Sequence, residues 1–510
     1  MTEVSKEEYT DLTDEEREAL REKARLLTLK WTSEDPSWMK PMQVDPRLYQ
    51  IEGGKFLYEA KKAILGDEMG VGKTGSAALA WRKTGFAGPA LLLGKPAAQS
   101  VWIRQADQWG LPTPYPISGT AKQRAKEWKE MAGDSSSFVS STIQAYRNDL
   151  KAGTAPTAWK VVIYDEAHRA SNRKTESWST LKRIKCEYLF LLSGSPMRKG
   201  FWDLWGLLNL CDPKTFSSYW KFIQTHGLTQ LDEMGHWEIL CLRDERNFAR
   251  RIAPRFLRRE KKDVLPELPP KQRILDGPLV EMTKDQERMY NEIEADMLLT
   301  LSNSDIIIAQ NELVKLTRLR QILSCPKILD PDADYGGNLE RLQEMLEETD
   351  DHHFVIYTPF AGAVPHIITF LQDVCKVDRE IFEFRGSIMT PHELVERSRY
   401  FQEAKGIAVC TIDFAESFEL TPAEWAYFNG FSWSADANLQ AEDRQHRMTT
   451  TQSISYYYPQ YRDGIDRIAM MPVLHGKARN MSEVFRTHRA LRAFLERRRR
   501  IREGEIVDET

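Results

Sequence analysis

The sequence predicts an α/β protein built from two units, each with a parallel sheet covered by helices. Short apolar runs alternate with helical stretches, which is the pattern of β-α-β units. One set of runs lies at 63–65, 90–93, 138–141, 160–164 and 188–192, and a second at 354–357, 381–384, 407–411, 425–429 and 453–458. The chain has 510 residues, which suits two to four domains of roughly 100–200 residues each.

The boundaries follow from changes in this pattern. Residues 260–340 lack strand-like runs and are expected to be helical. Near the N-terminus, Leu20, Ala24, Leu27 and Trp31 recur at the spacing of one helix face, so this helix is expected to dock on the main body. The predicted segments are an N-terminal helical extension (1–41), a first α/β unit (42–258), a linker with a helical protrusion (259–340), a second α/β unit (341–475) and a basic C-terminal helix (476–510).

Composition excludes several classes of protein. Hydrophobic residues are 41% and charged residues 29%, an ordinary soluble balance, and no stretch approaches the roughly 18 apolar residues of a membrane span. The six cysteines form no CxxC pair, which argues against a zinc module or a disulfide framework and favours a reducing, cytoplasmic location. The net charge of −4 disfavours a simple basic nucleic-acid-binding module, although it averages an acidic N-terminus with basic stretches at 243–262 and 486–502.

A glycine-rich loop follows the first apolar run and precedes a helical stretch. Residues 66–74 read GDEMGVGKT, in which Gly70 and Gly72 let backbone N–H groups curl around phosphate oxygens. Lys73 is expected to neutralise the β- and γ-phosphates of ATP, and the Thr74 hydroxyl to bind Mg²⁺. Asp67 stands where the generic loop has glycine, so a strict GxxxxGK[ST] pattern does not match.

A second strand-like run ends in paired carboxylates. Asp165 and Glu166 follow the run 160–164, and in nucleotide hydrolysis the first would hold Mg²⁺ while the second orients or deprotonates the attacking water. A small polar turn at 193–196 follows the next run and could hydrogen-bond with the acidic pair.

A third group of candidate residues lies far along the chain. Gln440, Arg444 and Arg447 recur at i, i+4 and i+7, a spacing that predicts one helix face. Arginines so placed can stabilise the charge that develops on a γ-phosphate. We therefore expect the second unit to face the first across the nucleotide, in a cycle that ATP closes and hydrolysis reopens.

Together these motifs resemble superfamily 2 helicases, and more closely the SNF2-like DNA translocases. The segments that carry the resemblance read DEMGVGKT at 67–74, DEAH at 165–168, FLRREKKDV at 256–264, LPPK at 268–271, LRQI at 319–322 and QAEDRQHR at 440–447. The resemblance implies two RecA-like lobes, the first binding ATP and the second carrying arginine fingers, with a helical insertion between them and a C-terminal helical brace. It also implies that Gln50 reads the adenine edge.

The expected activity is ATP-dependent movement on double-stranded DNA, remodelling branched DNA or forks or displacing proteins. An RNA helicase, or a DNA-binding scaffold without turnover, remains as an alternative. The residues expected to contact DNA phosphates are Lys95, Arg198, Lys199, Arg385 and Thr411. The compact chain suggests a monomeric prokaryotic or phage enzyme in the cytoplasm of a bacterial or phage-infected cell, working with replication or recombination proteins and not with a membrane.

Overall fold

The computed structural model divides the chain into two compact units, Met1–Leu268 and Pro269–Thr510. It describes residues 14–32, 40–86, 88–131, 137–198, 200–231, 237–275, 277–301, 310–349, 352–385, 391–404, 406–414, 418–430, 432, 434–467 and 500. The predicted C-terminal helix at 476–510 lies outside these residues, apart from Arg500. The finer division into five segments stays a prediction.

Unit 1 is built on a seven-stranded sheet with the order β3-β4-β2-β5-β6-β1-β9. Its elements are α1 (Asp14–Thr32), α2 (Leu48–Ala60), β1 (Lys62–Leu65), α3 (Lys73–Lys83), β2 (Ala90–Leu93), α4 (Pro96–Ala106), β3 (Tyr115–Pro116), α5 (Ala121–Met131), β4 (Phe138–Ser141), α6 (Ile143–Lys151), β5 (Ala158–Asp165), α7 (Glu176–Lys182), β6 (Lys185–Leu192), α8 (Leu204–Cys211), α9 (Tyr219–His226), β7 (Gly227–Leu231), β8 (Trp237–Leu242), α10 (Glu245–Ile252), β9 (Phe256–Leu257) and α11 (Lys261–Val264). Every pairing in the seven-stranded sheet is parallel, so the predicted β-α-β pattern is confirmed for this unit.

The register of this sheet brings three loops together. Leu65 of β1 and Asp165 of β5 both pair with Leu192 of β6, so these strands end at the same level. Because the strands are parallel, their carboxyl ends meet at one edge. The glycine-rich loop, the acidic pair and the turn at 193–196 therefore leave the sheet side by side.

Helix α1 docks on unit 1 through a face that includes Ala24 of the predicted stripe but not Leu27. Ala24 belongs to the apolar core that includes β1 and α3, and Thr28, one turn later, is buried as well. Leu27 is 41% exposed, so the expected contribution of Leu27 to docking is wrong. The small side chains of Ala24 and Thr28 allow a close approach to α2, whereas a leucine would hold the helices apart.

Unit 2 is built on a six-stranded sheet with the order β10-β15-β14-β11-β13-β12. Its elements are β10 (Lys271–Ile274), α12 (Lys284–Leu301), α13 (Gln310–Ser324), α14 (Gly337–Glu348), β11 (Phe354–Thr358), α15 (Ala363–Thr369), β12 (Glu380–Phe384), α16 (Pro391–Glu403), β13 (Gly406–Thr411), β14 (Trp425–Phe428), α17 (Ala435–Glu442) and β15 (Ile454–Tyr457). These strands also pair in parallel, which confirms the second α/β unit.

Strand β10 corrects the expectation that residues 260–340 contain helices alone. It pairs with β15, with Lys271 opposite Ile454 and Ile274 opposite Tyr457. The run reads KQRI, so the strand has no apolar pattern to reveal it. Helices α12 and α13 do lie in the expected helical insertion. Among the described residues, no helix has both the length and the apolar character required to cross a bilayer.

Candidate nucleotide site

The glycine-rich loop joins β1 to α3 with a backbone that only glycine adopts readily. Gly70 and Gly72 both have φ of +79°, and Gly72 is the residue that precedes the first turn of α3. A side chain at either position would be strained in this left-handed region. The loop thus delivers the N-terminus of α3 to the edge of the sheet, where the positive end of the helix can bind an anion.

Lys73, the first residue of α3, directs its ammonium group back into the loop. Its Nζ atom donates hydrogen bonds to the carbonyl oxygens of Asp67, at 3.0 Å, and Glu68, at 3.1 Å. The charge is therefore held inside the turn formed by 66–74, where phosphate oxygens would meet it. The neutralisation of the β- and γ-phosphates by Lys73 stays a prediction.

Helix α2 supports the loop from the other side. The Gln50 amide donates from Nε2 to the carbonyl oxygen of Gly72 at 3.2 Å and accepts at Oε1 from the Arg47 N–H at 3.0 Å. The Tyr49 hydroxyl donates to the carbonyl oxygen of Val71 at 2.9 Å. Gln50 thus lies against the phosphate loop, while its reading of adenine stays a prediction.

Asp165 ends β5 as a buried carboxylate with defined partners. Its Oδ2 atom lies 3.3 Å from Trp102 Nε1, and its Oδ1 atom accepts from the Glu166 N–H at 3.0 Å. Burial, followed by the negative charge of Glu166, raises the pKa of Asp165 to about 6, while the nearby Lys73 ammonium opposes the rise. Burial and the neighbouring charge thus both disfavour the ionised carboxylate, and the Lys73 ammonium partly offsets them.

Glu166 is held in an unusual conformation beside a histidine. Its backbone has φ of +58°, which is rare for a residue with a side chain. His168 Nδ1 lies 3.1 Å from Glu166 Oε2 and 3.2 Å from Ser193 Oγ. The imidazole thereby connects the acidic pair with the polar turn at 193–196, so the link runs through His168 and not, as the sequence suggested, directly from the turn.

The residues expected to bind Mg²⁺ are Thr74, in the first turn of α3, and Asp165, at the end of β5. Within the described ranges, no three or more His, Cys, Asp or Glu residues are grouped so as to hold a metal by themselves. Magnesium usually keeps several waters and uses one or two protein ligands with the phosphates of a nucleotide. Asp165 and Thr74 fit this shared kind of site.

In unit 2, the expectation of a single helix face for the arginine group is wrong. Helix α17 ends at Glu442, so only Gln440 lies on it, and Arg444 and Arg447 follow in turns. Arg444 is buried, with its guanidinium 5.9 Å from the Phe418 ring. Arg447 pairs with Glu419 at 2.9 Å. Glu442, the last residue of the helix, is itself buried and pairs with half-buried cationic residues.

Those partners are residues that sequence reasoning missed. Glu442 is fully buried and accepts hydrogen bonds from Arg273 at 2.6 Å, from Lys271 at 3.0 Å and from the Tyr458 hydroxyl at 2.7 Å. Burial alone would raise the pKa of Glu442, but the Arg273 hydrogen bonds and the Lys271 charge outweigh it, and the pKa is lowered. The alternation of Lys271 and Arg273 at the spacing of a strand face was the available signal.

The residues expected to contact DNA sit mostly at strand ends, in their own units. Lys95 precedes α4 after β2, Arg385 follows β12 and pairs with Glu383 at 2.6 Å, and Thr411 is the last residue of β13. Arg198 is exposed, and Lys199 lies outside the described residues. Their contact with DNA stays a prediction.

Comparison with known proteins adds a family. The model of the SNF2-related domain matches residues 49–328, which is more than half of the chain. The chain belongs to the SNF2-related family. The expectation of an SNF2-like chain with two RecA-like lobes is confirmed by this match together with the two parallel sheets.

Relatives of this SNF2-related chain include a CHD3-type chromatin-remodeling factor of Arabidopsis thaliana, 26% identical over 80% of this chain and 35% of its own length. An uncharacterized ATP-dependent helicase of Mycoplasma genitalium is 24% identical over 88% of this chain and 43% of its own length. The chain thus spans less than half the length of these relatives. The solved SWI2/SNF2 ATPase core of Sulfolobus solfataricus in complex with dsDNA is 19% identical, with a TM-score of 0.40 over 88% of this chain and 93% of that one.

A second group that sequence reasoning missed in this SNF2-related chain surrounds Asp67. Its carboxylate is 2% exposed and pairs with Arg259, from the segment that follows β9. Asp67 appears in the sequence as a departure from the generic loop, and only the fold shows what the carboxylate binds.

Proposed function

We propose that this chain is an ATP hydrolase whose site lies at the carboxyl edge of the unit 1 sheet. The observation that carries the proposal is that Lys73, after β1, meets Asp165 and Glu166, at the end of β5, at this edge. Lys73 would neutralise the β- and γ-phosphates. Asp165, with the Thr74 hydroxyl, would hold Mg²⁺, and Glu166 would orient or deprotonate the attacking water. Membership in the SNF2-related family supports this assignment of roles.

The second unit would complete the reaction with its arginines. Arg447 is held at the protein surface by Glu419, with its side chain 24% exposed, whereas Arg444 is buried. Because Arg447 is the more exposed of the two, we assign it the role of arginine finger. Arg444 and Gln440 would shape the segment that presents it.

We propose DNA as the polymer that stimulates hydrolysis, and movement on double-stranded DNA as the work performed. The names of relatives, a chromatin-remodeling factor and an ATP-dependent helicase, support a DNA-directed motor. Lys95, Arg385 and Thr411 lie where parallel strands end, where loops can follow a phosphate backbone without reading bases. Remodelling of branched DNA or forks, displacement of bound proteins, monomeric action and a cytoplasmic location in a bacterial or phage-infected cell remain parts of this proposal.

The test measures ATP hydrolysis with no polymer, duplex DNA, single-stranded DNA, a four-way junction and RNA. Stimulation by duplex DNA or the junction, absent in Glu166→Gln, is the expected result. Stimulation by RNA alone would identify an RNA helicase. DNA binding without turnover under any condition would identify a scaffold. A triplex-displacement assay on the stimulating duplex then tests movement, because only a translocating protein strips a third strand that it does not bind.

A further inference from the structure

Asp67 and Arg259 form a buried pair with several points of contact. Arg259 donates from Nη2 to Asp67 Oδ2 at 2.6 Å, from Nε to Oδ1 at 3.2 Å, and from its backbone N–H to Oδ1 at 3.0 Å. The Arg259 side chain is 13% exposed and the Asp67 side chain 2%. Another N–H of the same guanidinium donates to the carbonyl oxygen of Tyr49. One arginine thereby holds both the phosphate loop and the helix behind it.

The backbone around Arg259 is hydrogen-bonded to alternate residues of the phosphate loop. The N–H of Gly66 donates to the carbonyl oxygen of Leu257 at 2.7 Å, and the N–H of Glu68 to that of Arg259 at 2.9 Å. The N–H of Lys261 then donates to the Glu68 carboxylate at 2.8 Å. The pairing of β1 with β9 thus continues beyond both strands and along the first half of the loop.

Arg258, the neighbour of Arg259, reaches a second motif. Its Nη1 atom donates to the carbonyl oxygen of Gly66 at 2.8 Å and to that of Gly194 at 3.1 Å. Gly66 begins the phosphate loop, and Gly194 lies in the polar turn that His168 joins to the acidic pair. A single guanidinium therefore fixes the spacing between the two loops.

We propose that Arg258 and Arg259 are positioning residues that set the shape of the phosphate loop and link it to the chain leaving unit 1 at Leu268. This inference rests on the proposed ATP site. It explains why Asp67 replaces the generic glycine: the carboxylate anchors the loop to the departing chain. When phosphate binds and the loop adjusts, the segment from Arg259 to Leu268 must adjust with it.

The geometry requires arginine, because a planar guanidinium with five N–H donors can serve the Asp67 carboxylate and the Tyr49 carbonyl at once. Arg259→Lys keeps the charge but loses this fork. We expect it to lower kcat/KM for ATP by about 10- to 100-fold, as a misplaced reactive group commonly does.

The chain offers a matched control in the same unit. Arg124 and Asp149 form a two-point pair with side chains 12% and 3% exposed, nearly the burial of Arg259 and Asp67. Arg124 lies on α5, which joins β3 to β4 at the opposite edge of the sheet from β9. Arg124→Lys should cost similar thermal stability while kcat/KM stays at the wild-type value. If Arg259→Lys also keeps wild-type kinetics, the inference is overturned.

Asp67→Gly provides a second variant, because it restores the generic pattern GxxxxGK[ST]. A loop that depends on glycine alone would work as well or better with this change. We expect instead that Asp67→Gly lowers kcat/KM by about 10- to 100-fold. The double variant Asp67→Gly with Arg259→Lys should lose little more than either single variant, since both changes remove the same contact. Wild-type kinetics in Asp67→Gly would contradict the inference even if Arg259→Lys proved too unstable to assay.

Hydrogen exchange on the full chain separates positioning from folding. With Mg²⁺ and a non-hydrolysable ATP analogue, peptides covering 257–263 should exchange more slowly in the wild type, and this response should disappear in Asp67→Gly. Peptides covering 121–131 serve as the internal reference. Equal responses in both proteins overturn the link to the departing chain. A wild type that hydrolyses no ATP in any assay overturns the proposed function as well, whereas an active wild type with unchanged variants overturns this inference alone.

Discussion

His168 Nδ1 lies within hydrogen-bond distance of Ser193 Oγ, at 3.2 Å, so one side chain joins the loops that follow β5 and β6. The Ser193 hydroxyl also accepts from the Ser195 N–H at 3.3 Å, which fixes its position in the turn. Because the same imidazole nitrogen is 3.1 Å from Glu166, any movement of the turn is transmitted to the proposed catalytic carboxylate.

Ser193→Ala is therefore expected to lower kcat for ATP by about 2- to 10-fold, the worth of one buried hydrogen bond. Affinity for ATP should change little, because the hydroxyl bonds with His168 and the Ser195 N–H rather than with a residue of the phosphate loop. Steady-state hydrolysis with duplex DNA measures the effect. Ser140→Ala is the matched control: Ser140 is fully buried in β4, and its hydroxyl has no hydrogen-bond partner among the described residues. An equal loss of activity in both variants would show that only packing matters.

Glu166→Gln should retain ATP binding and lose hydrolysis by at least about 100-fold, because the amide cannot take a proton from water. Nucleotide binding by fluorescence and turnover by phosphate release give the two quantities. Glu187→Gln is the control: it removes a carboxylate near the amino end of β6, where Glu187 pairs with Lys61 and Lys160. It should leave ATP binding and turnover unchanged. Turnover near the wild-type rate in Glu166→Gln would refute the role of Glu166.

Arg447→Ala should lower kcat on the order of 10³-fold, as expected for an arginine that stabilises charge only in the transition state. ATP affinity should change little. Glu419→Gln, which weakens the 2.9 Å pair and leaves the arginine in place, should lower kcat by less than about 10-fold. Collapse of nucleotide affinity with kcat unchanged would make Arg447 a binding residue.

Glu442→Gln should destabilise the chain by about 1–3 kcal/mol at pH 7, because the half-buried charges of Lys271 and Arg273 lose their buried anionic partner. Since the pKa of Glu442 is lowered in the folded state, its contribution is present above the unfolded value of about 4.3 and is lost as the pH falls through the folded value. The wild type and Glu442→Gln should therefore converge in acid. Urea unfolding at pH 7 and about pH 3.5 measures the difference in the free energy of unfolding between the two proteins. An equal difference at both pH values would contradict this role of Glu442.

Apolar runs predicted the buried strands of both sheets, because such strands need continuous apolar sequence. Residues 66–74 and the pair Asp165–Glu166 predicted the site, because each motif is local. Strand β10 was not predicted because it lacks an apolar pattern; its polar side chains bind Glu442 instead. The pair of Asp67 and Arg259 was not predicted because its members are 192 positions apart, and nothing in the sequence around either residue indicates its partner. The arginine segment was misread as a helix since its spacing agreed with one, although buried contacts decide its path.

Glu166 sets activity against stability within a single residue. Its φ of +58° costs about 1 kcal/mol for a residue with a Cβ atom, and glycine would remove that cost. If only folding, and not ATP hydrolysis, were under selection, substitutions of Glu166 by Gly or Asn would therefore be favoured. If glutamate instead persists at this position when the gene is passaged in the laboratory, selection is acting on hydrolysis and not on folding alone.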